Sequence, residues 1–355
     1  MHTFGLALSR AFLARSSILE SHSSSTLSMK LFIYLSLLGL AVAEGLSIRQ
    51  IHQWPKYTFL ENLRMRENGS ILTTRLDSPL LLEIDPFSGQ GPQTVHKFKD
   101  YLAVGGITET VPNLFAVIAG NFSLFTLTSY PGTYAIWTVD YRPEAVSKSG
   151  APLVSKLADT PESGFLDGMT YVPSAHAIFM ADAQLGLIFK MDIHTGKYAV
   201  AVNNTLTQKC HPKDLEAVNG LKYFNSSLYW TNSGCGYYAK MALDKTGHPV
   251  GKASIISNPK LSMDDFAIAS DGTAYLTASF INQIFTITAD GKFKSVAGGL
   301  NSTDVAQPTA LIFGRTKADK EKGTIYVTTA GGIGDPINGT VIVGAQLLAI
   351  DTKGV

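Results

Sequence analysis

Residues Thr324-Ile325-Tyr326-Val327-Thr328 form a short run of β-branched and aromatic residues, and runs of this kind recur along the chain. Five earlier runs share its length and its mixture of apolar and small polar residues: 70–74, 114–118, 177–181, 227–231 and 273–277. Repeats at a spacing of roughly 50 residues are typical of radial or solenoid arrays. The six units therefore predict six blades.

The third strand of several units ends in an aspartate, as in Leu82-Glu83-Ile84-Asp85 and Leu348-Ala349-Ile350-Asp351. Alternating apolar and polar residues that stop at Asp are typical of a half-buried strand that runs into a tight turn. The pattern predicts an all-β fold, a six-bladed β-propeller with four-stranded blades around a central channel. The last unit has almost no sequence left for a fourth strand. We expect residues 47–54 to supply it and so to close the ring.

The composition agrees with a propeller and excludes some functions. The chain has 355 residues, 32 glycines and a formal net charge of +1. It has no basic face interleaved with aromatic residues, so nucleic acid is not expected as a partner. A closed ring of blades is one cooperative unit, so we predict a single propeller domain over residues 44–355, present as a monomer.

The N-terminal segment carries a targeting pattern. Lys30 precedes an apolar run that ends in Ala41-Val42-Ala43, the layout of a secretory signal peptide over residues 29–43. The other interpretations are a core helix or a membrane anchor, but the run is shorter than the roughly 20 residues that span a bilayer. We expect a protein of the secretory pathway or the extracellular space with no membrane span after signal removal. Residues 1–28 are predicted to be a disordered or mis-assigned extension.

Two further features fit the secretory route. The chain contains Asn-x-Ser/Thr sequons, which mark candidate glycosylation sites at Asn68, Asn121, Asn203, Asn225, Asn301 and Asn338. Cys210 lies just before the first strand of the fourth blade, and Cys235 follows its second strand. The start of the first strand and the end of the second lie on the same face of the ring in an antiparallel pair. A disulfide between Cys210 and Cys235 can therefore form in an oxidising compartment. The alternative is two unrelated buried thiols.

Acidic and amide residues occur where the innermost strands begin. Glu61, Asp167, Asn219 and the pair Asp264-Asp265 all take such positions, so they are expected to converge on the channel mouth. Oxygen ligands without Cys or His suit calcium better than zinc. The alternative is that Asp167-Gly168 and Asn219-Gly220 are ordinary turn residues. That alternative explains neither Glu61 nor Asp264.

At these residues the chain resembles the senescence marker protein (regucalcin) and gluconolactonase family of six-bladed propellers. The resemblance rests on Glu61-Asn62-Leu63-Arg64, Asp167-Gly168-Met169, Val218-Asn219-Gly220 and Asp264-Asp265-Phe266. It implies a divalent ion at the channel mouth held by Glu61, Asn219 and Asp264, with Asp264 also serving as the base in lactone hydrolysis. Asp167 falls where the family often has a substrate-side Asn, and Asp265 replaces a family Gly.

Apolar and amide-rich loops around the predicted mouth favour a flat, hydrophobic substrate over a sugar lactone. Their residues and a neutral position of the sixth blade complete the predicted substrate-binding set: Trp230, Tyr237, Tyr238, Phe280, Asn282 and Thr309. Here the chain resembles fungal propellers that act as hetero-Diels–Alderases in tropolonic meroterpenoid biosynthesis. The resemblance implies a quinone methide trapped by a humulene-type alkene, with no cofactor. Asp264 or Asp265 would be the acid–base group, and Asn219 and Glu61 would be hydrogen-bond partners.

Two residues in the predicted site have a second interpretation. His211 is the titratable candidate near neutral pH, and it is equally well explained as a solvated loop residue. Trp230 ends a strand and is equally well explained as core. Three functions remain open, in this order: a cyclase acting on a small hydrophobic substrate, a calcium-dependent lactonase or esterase, and a non-catalytic secreted binding propeller.

Overall fold

The structure is a computed structural model that describes residues 46–354. The predicted extension at 1–28 and the signal peptide at 29–43 lie outside these residues. Ser47–Val355 form one compact unit. Within the described part of the chain, no helix is long and apolar enough to cross a membrane.

The described chain folds into six four-stranded antiparallel sheets, so the predicted six-bladed all-β propeller is confirmed. The first strand, β1 (Ile48–Lys56), belongs to the last blade. Blade 1 consists of β2 (Leu60–Met65), β3 (Ile71–Arg75), β4 (Leu80–Ile84) and β5 (Gln93–Lys97). Blade 2 consists of β6 (Ala103–Val111), β7 (Leu114–Gly120), β10 (Ala135–Asp140) and β11 (Leu153–Asp159), with a small ribbon of β8 (Phe122–Ser123) and β9 (Thr128–Ser129) between β7 and β10.

The next three blades follow the chain without interruption. Blade 3 consists of β12 (Leu166–Val172), β13 (Ala177–Asp182), β14 (Leu187–Asp192) and β15 (Tyr198–Asn203). Blade 4 consists of β16 (Val218–Phe224), β17 (Ser227–Asn232), β18 (Tyr237–Leu243) and β19 (Pro249–Ser257). Blade 5 consists of β20 (Phe266–Ile268), β21 (Ala274–Ala278), β22 (Gln283–Ile287) and β23 (Phe293–Gly298).

Blade 6 joins the two ends of the propeller chain. Its inner strands are β24 (Pro308–Phe313), β25 (Thr324–Thr329) and β26 (Gly344–Asp351). Strand β1 pairs antiparallel with β26, with Ile48 opposite Ile350 and Arg49 opposite Ala349. The segment that the sequence analysis assigned to the last blade is thus its outer strand, and β24 packs beside β2 of blade 1.

Helical structure within the described residues is limited to short connections. The helix α1 (Lys317–Lys322) links β24 to β25, and single 3-10 turns occur at Pro173–Ala175 and Ser279–Ile281. A capping box starts α1: the Thr316 hydroxyl accepts from the Asp319 amide while the Asp319 carboxylate accepts from the Thr316 amide. The sequence analysis did not predict this helix.

Apolar side chains fill the spaces between neighbouring blades. The six runs found in the sequence correspond to β3, β7, β13, β17, β21 and β25, the second strands of the blades. Trp230, Phe179, Phe115 and Tyr326 from these strands are fully buried. Burying such a side chain stabilises the fold by roughly 1.5–3 kcal/mol. The repeat therefore encodes the packing between blades.

Five inner strands shift their register close to their start, which marks a β-bulge in each. The shifts fall between Leu60 and Leu63, Val104 and Ile107, Leu166 and Met169, Val218 and Leu221, and Pro308 and Leu311. A bulge re-aims a side chain that regular pleating would send elsewhere. The predicted turns at the start of the inner strands are therefore bulges, and they aim Glu61, Asp167 and Asn219 at the axis.

Glycines in three consecutive inner strands let the blades approach closely. A Cβ at Gly106 would lie 2.2 Å from the carbonyl oxygen of Asp167, and one at Gly168 would lie 2.3 Å from that of Asn219. A Cβ at Gly220 would lie 2.8 Å from the carbonyl oxygen of Asp264. None of the three has a positive φ. Gly168 and Gly220 are thus needed for close packing of the inner strands and not for a turn.

Candidate functional site

Four carboxyl groups meet at the end of the channel where the inner strands begin. We call Glu61, Asp167, Glu216 and Asp264 the acid cluster. Glu61 and Asp167 are buried, with 5% and 4% of their surface exposed, whereas Glu216 and Asp264 are half-buried. The bulges in β2 and β12 place the first two, and the segments that precede β16 and β20 carry the other two.

Burial and like charge keep protons on the acid cluster. Burial raises the pKa of Glu61 well above its ordinary value, and the nearby charges of Asp167 and Asp264 raise it further. Burial likewise raises the pKa of Asp167. The Glu61 carboxyl, as a hydrogen-bonding neighbour, offsets part of this rise in the pKa of Asp167.

The two half-buried acids have polar partners that hold their orientation. Burial raises the pKa of Asp264, and the charge of Asp167 adds to the effect. The Ser279 hydroxyl donates to Asp264 Oδ2 over 3.0 Å. Burial also raises the pKa of Glu216, and the Asn219 amide donates to Glu216 Oε2 over 3.1 Å. The cluster therefore combines carboxyls whose raised pKa favours the protonated, proton-donating form with neighbouring carboxyls that can accept a proton.

The sequence analysis placed Glu61, Asp167, Asn219 and Asp264 at one end of the channel, and the structure brings them together there. It missed Glu216, which lies three positions before Asn219 in the loop that follows Cys210. An acid close to a predicted site residue in the same loop was the signal that could have found it. Spacing alone did not show that this loop turns back onto the channel.

Asp265 does not join the acid cluster, because its carboxylate faces the next layer of the channel. Asn62 donates to Asp265 Oδ2 over 2.9 Å, and Lys222 donates to Asp265 Oδ1. Arg64 in turn donates to Asn62 Oδ1 over 3.3 Å. We call Asn62, Asp265 and Lys222 the polar bridge. It joins blades 1, 4 and 5 and separates the acid cluster from the space beyond.

Beyond the polar bridge the channel opens into a cavity of about 530 Å³. Its lining comes from the second halves of the inner strands, so it lies at the opposite end of the channel from the acid cluster. Arg64, Lys222, Thr108 and Thr170 are polar members of the lining, and Ile312 is one of the apolar members. This volume lies within the range of small-molecule sites, roughly 300–1,000 Å³.

Most predicted substrate-binding residues lie in packing positions. Trp230 and Tyr238 are fully buried between blades, and the Trp230 indole donates to the Leu206 carbonyl oxygen over 2.8 Å. Tyr237 is also buried and donates to the same oxygen over 2.9 Å. Only Phe280 is half-buried among the four predicted aromatic residues. The strands that carry the other three turn their rings into the apolar layers between blades, not into the channel.

The two polar residues predicted to bind substrate, Asn282 and Thr309, form hydrogen bonds with backbone groups. Asn282 is buried, donates to the Leu300 carbonyl over 2.8 Å and accepts from the Gln307 amide over 2.8 Å. Thr309 is fully buried and donates to the Leu60 carbonyl over 2.8 Å, which ties blade 6 to blade 1. The Asn282 side chain therefore holds loop segments together, and the Thr309 side chain joins two blades.

Cys210 and Cys235 are joined by a disulfide, with their Cα atoms 5.3 Å apart. The bond holds the loop that carries Glu216 against the loop that follows β17. His211, beside Cys210, is an exposed loop residue, and its backbone amide donates to Asp214 Oδ2 over 2.8 Å. The structure thus places the disulfide beside the acid cluster and leaves His211 in the solvated position that was its second interpretation.

The donor set and geometry of the acid cluster decide whether it can hold calcium. Carboxylate and amide oxygens are suitable ligands for calcium. However, among residues 46–354 no three acidic, Cys or His side chains have the arrangement of a metal site. The Asn219 amide also turns its donor nitrogen towards Glu216. The side chains as arranged do not fit the ion, so the chemistry that follows uses only the protein's own groups.

The chain is similar in sequence to two fungal proteins. One from Phoma sp., named "Putative hetero-Diels-Alderase", is 26% identical over 309 residues, which cover 79% of this chain and 86% of that protein. The other, "Putative hetero-Diels-Alderase asR5" from Sarocladium schorii, is 24% identical over 362 residues, covering 88% of this chain and 86% of that protein. No family model matches the chain.

Solved propellers share the fold at low sequence identity. A luciferin-regenerating enzyme superposes with a TM-score of 0.62 at 16% identity, covering 88% of this chain and 97% of that one. Regucalcin from Agrobacterium tumefaciens, a calcium-binding protein, has a TM-score of 0.58 at 12% identity, covering 87% and 96%. A gluconolactonase from Xanthomonas campestris has a TM-score of 0.57 at 10% identity, covering 88% and 92%. The resemblance to the regucalcin and gluconolactonase group is confirmed for the fold.

Proposed function

We propose that this protein is a cyclase of fungal secondary metabolism that acts as a hetero-Diels–Alderase on a small hydrophobic substrate. The observation that carries the proposal is the proton-holding acid cluster, together with sequence similarity to two proteins that bear that name. A quinone methide is made by loss of water, and an acid of raised pKa suits that step. The later cycloaddition needs no nucleophile.

The first proposed step is dehydration. Asp264 donates its proton to the hydroxyl group that leaves as water, while a neighbouring carboxylate accepts the proton of the adjacent ring hydroxyl. The carbon–oxygen bond breaks, the ring oxygen becomes a carbonyl and an ortho-quinone methide forms. Asp264 gives up one proton and the neighbouring carboxylate accepts one, so the net charge of the acid cluster does not change. Asp264 suits this role because it is half-buried and its carboxyl is oriented by Ser279.

The second proposed step joins the quinone methide to a strained alkene of a humulene-type terpene. One carbon–carbon and one carbon–oxygen bond form together, and no proton moves. Asn219 or a protonated Glu61 would donate a hydrogen bond to the diene oxygen and make it a better electron acceptor. Holding two reactants in the reacting geometry can lower such a barrier by several kcal/mol, on the order of 7–11 at best.

The experiment is to incubate the purified protein with a hydroxylated quinone methide precursor and humulene and to measure the adduct. We expect Asp264→Asn to slow adduct formation by at least about 100-fold, since general acid catalysis contributes roughly 10²–10⁴-fold. When the quinone methide is generated separately, Asp264→Asn should cyclise it at nearly the normal rate. Asp271→Asn, an exposed aspartate of the same blade, is the control. Normal turnover by Asp264→Asn would overturn the assignment.

The remaining expectations are part of the same proposal. The protein would act as a monomer, without a cofactor, in the secretory pathway or outside the cell. The disulfide supports an oxidising compartment. Five of the six sequons have an exposed asparagine: Asn68, Asn203, Asn225, Asn301 and Asn338. Asn121 is half-buried and its side-chain oxygen accepts from the Leu102 amide, so it is the poorest glycan acceptor of the set.

A further inference from the structure

The lining of the cavity beyond the polar bridge has two cations on opposite sides, with a polar arc and an apolar arc between them. Each blade contributes the residue two positions after the bulge or its equivalent: Arg64, Thr108, Thr170, Lys222, Ala267 and Ile312. Arg64 belongs to blade 1 and Lys222 to blade 4, so the two cations approach the cavity from opposite sides of a six-bladed ring. Thr108 and Thr170 fill one arc between them, and Ala267 and Ile312 fill the other.

Both cations have hydrogen-bond donors without a partner among the residues that the structure describes. Arg64 Nη1 donates to the Leu63 carbonyl over 2.7 Å and to Asn62 over 3.3 Å, whereas Nε and Nη2 donate to no group within residues 46–354. Lys222 donates to Asp265 alone among side chains and carbonyls of the described chain. An ammonium has three donors, so two remain.

The charged groups of the lining do not balance. Arg64, Lys222 and Arg315 are cationic, and Glu109 is the carboxylate among them. Arg315 and Glu109 pair with each other over 2.6 Å, with the Arg315 side chain 46% exposed. Asp265 balances the charge of Lys222, so Arg64 is the cation of the inner cavity that has no ion-pair partner within the described residues. Burial lowers the pKa of Lys222 to about 8, and an anion bound beside it would offset that cost.

We propose that this cavity binds a small organic anion, a carboxylate or phenolate carried on an apolar body about the size of a fused ring pair. The anionic oxygens bind between Arg64 and Lys222, and the apolar body packs on Ile312, Ile268 and Phe313. Charge-assisted hydrogen bonds from an arginine and a lysine are the usual means of holding such a group. This site lies at the opposite end of the channel from the acid cluster, and it does not depend on the proposed cyclase activity.

The test is calorimetric titration of the whole protein with 2-naphthoate and with the neutral 2-naphthamide at pH 7. We expect the carboxylate to bind at least about tenfold more tightly than the amide, because hydrogen bonds to charged groups are the stronger kind. Lys222→Met and Arg64→Gln should each weaken naphthoate binding by about tenfold and leave the amide unchanged. Lys294→Met, an exposed lysine on β23, should bind like the parent.

A second variant keeps the test decisive if a charge change disturbs folding. Ile312→Trp fills the apolar arc and leaves both cations in place, so it should abolish naphthoate binding. Equal affinity for naphthoate and naphthamide, or unchanged naphthoate binding in Ile312→Trp, would overturn the proposal, as would no binding at millimolar naphthoate. Because no turnover is measured, a failure here differs from a failure of the cyclase assay.

Discussion

Lys222 in blade 4 donates a hydrogen bond to the carboxylate of Asp265, which lies just before the inner strand of blade 5. The Asp265 side chain is 2% exposed and that of Lys222 is 14% exposed, so the pair is shielded from water. Asn62 of blade 1 binds the other oxygen of the same carboxylate. One carboxylate thus connects three blades across the channel and divides the acid cluster from the cavity.

We predict that Asp265→Ala destabilises the protein by about 3 kcal/mol, because breaking one partner of a buried pair leaves the other charge uncompensated. For a chain of this size the loss lowers Tm by about 5 °C. The double variant Asp265→Ala/Lys222→Met should recover much of the loss, because it removes the unpaired cation. Calorimetric Tm values of the parent, both single variants and the double variant check this. Simple additivity of the two single losses would show that the pair is not coupled.

Gly168 is predicted to tolerate no side chain. A Cβ there would lie 2.3 Å from the Asn219 carbonyl oxygen, and backbone of a neighbouring blade cannot move aside as a flexible side chain would. We expect Gly168→Ala to cost about 3 kcal/mol in the free energy of unfolding. Gly91→Ala is the matched control, because its nearest neighbour is His52 Cε1 at 3.9 Å and its φ is not positive. Equal denaturation midpoints for the two variants would contradict the close-packing role.

The acid cluster should make the protein less stable as pH rises. Glu61, Asp167 and Asp264 have raised pKa values in the folded state, mainly because of burial. Between the ordinary carboxyl pKa, about 4, and these raised values, the folded protein binds more protons than the unfolded chain. Stability is therefore present in full at the acid end of this window and is lost as pH rises through it. Denaturant titrations between about pH 5 and pH 7.5 measure the slope.

Two variants test whether the acid cluster causes this dependence of stability on pH. Glu61→Gln and Asp167→Asn should each flatten the slope, because each removes a group that takes up a proton on folding. Asp140 and Asp290 have lowered pKa values, caused first by hydrogen bonds from Arg142 and Lys292. Their contribution is lost only below the ordinary carboxyl pKa, outside the measured range. A slope of unchanged size in both variants would locate the proton uptake elsewhere.

The effect of calcium on Tm distinguishes the proposed cyclase from a lactonase of the gluconolactonase type. The geometry of the acid cluster does not fit the ion, so we expect Tm to move by less than about 1 °C with excess calcium or with chelator. A ligand at a hundred times its dissociation constant would add about 2.7 kcal/mol and raise Tm by several degrees. An upward shift that chelator reverses, and that Glu61→Gln abolishes, would make the acid cluster a metal site and put lactone hydrolysis first.

Sequence reasoning located the site residues by assuming that equivalent positions in each repeat meet at the axis. That assumption worked for Glu61, Asp167 and Asn219, because bulges recur near the start of β2, β12 and β16. It also worked for Asp264, which lies in the segment before β20 at the same end of the channel. The separate assignment of Trp230 and Tyr238 to the walls of the channel was made from the apolar loops around the mouth. The structure places both rings between blades, because an aromatic residue on a strand of period two can face either side of the sheet. Only the packing of neighbouring blades shows which side each ring takes.

The sequence by itself determined the number of blades, the strand pattern and the supply of the last outer strand from residues 47–54, because these depend on local periodicity and chain length. The tertiary structure decided which polar groups share a layer of the channel. Asp264 and Asp265 are adjacent in the chain, yet one belongs to the acid cluster and the other to the polar bridge. Neighbouring residues on an extended segment point to opposite sides, and their partners come from strands up to 203 positions away in the chain. No local pattern encodes such a partner.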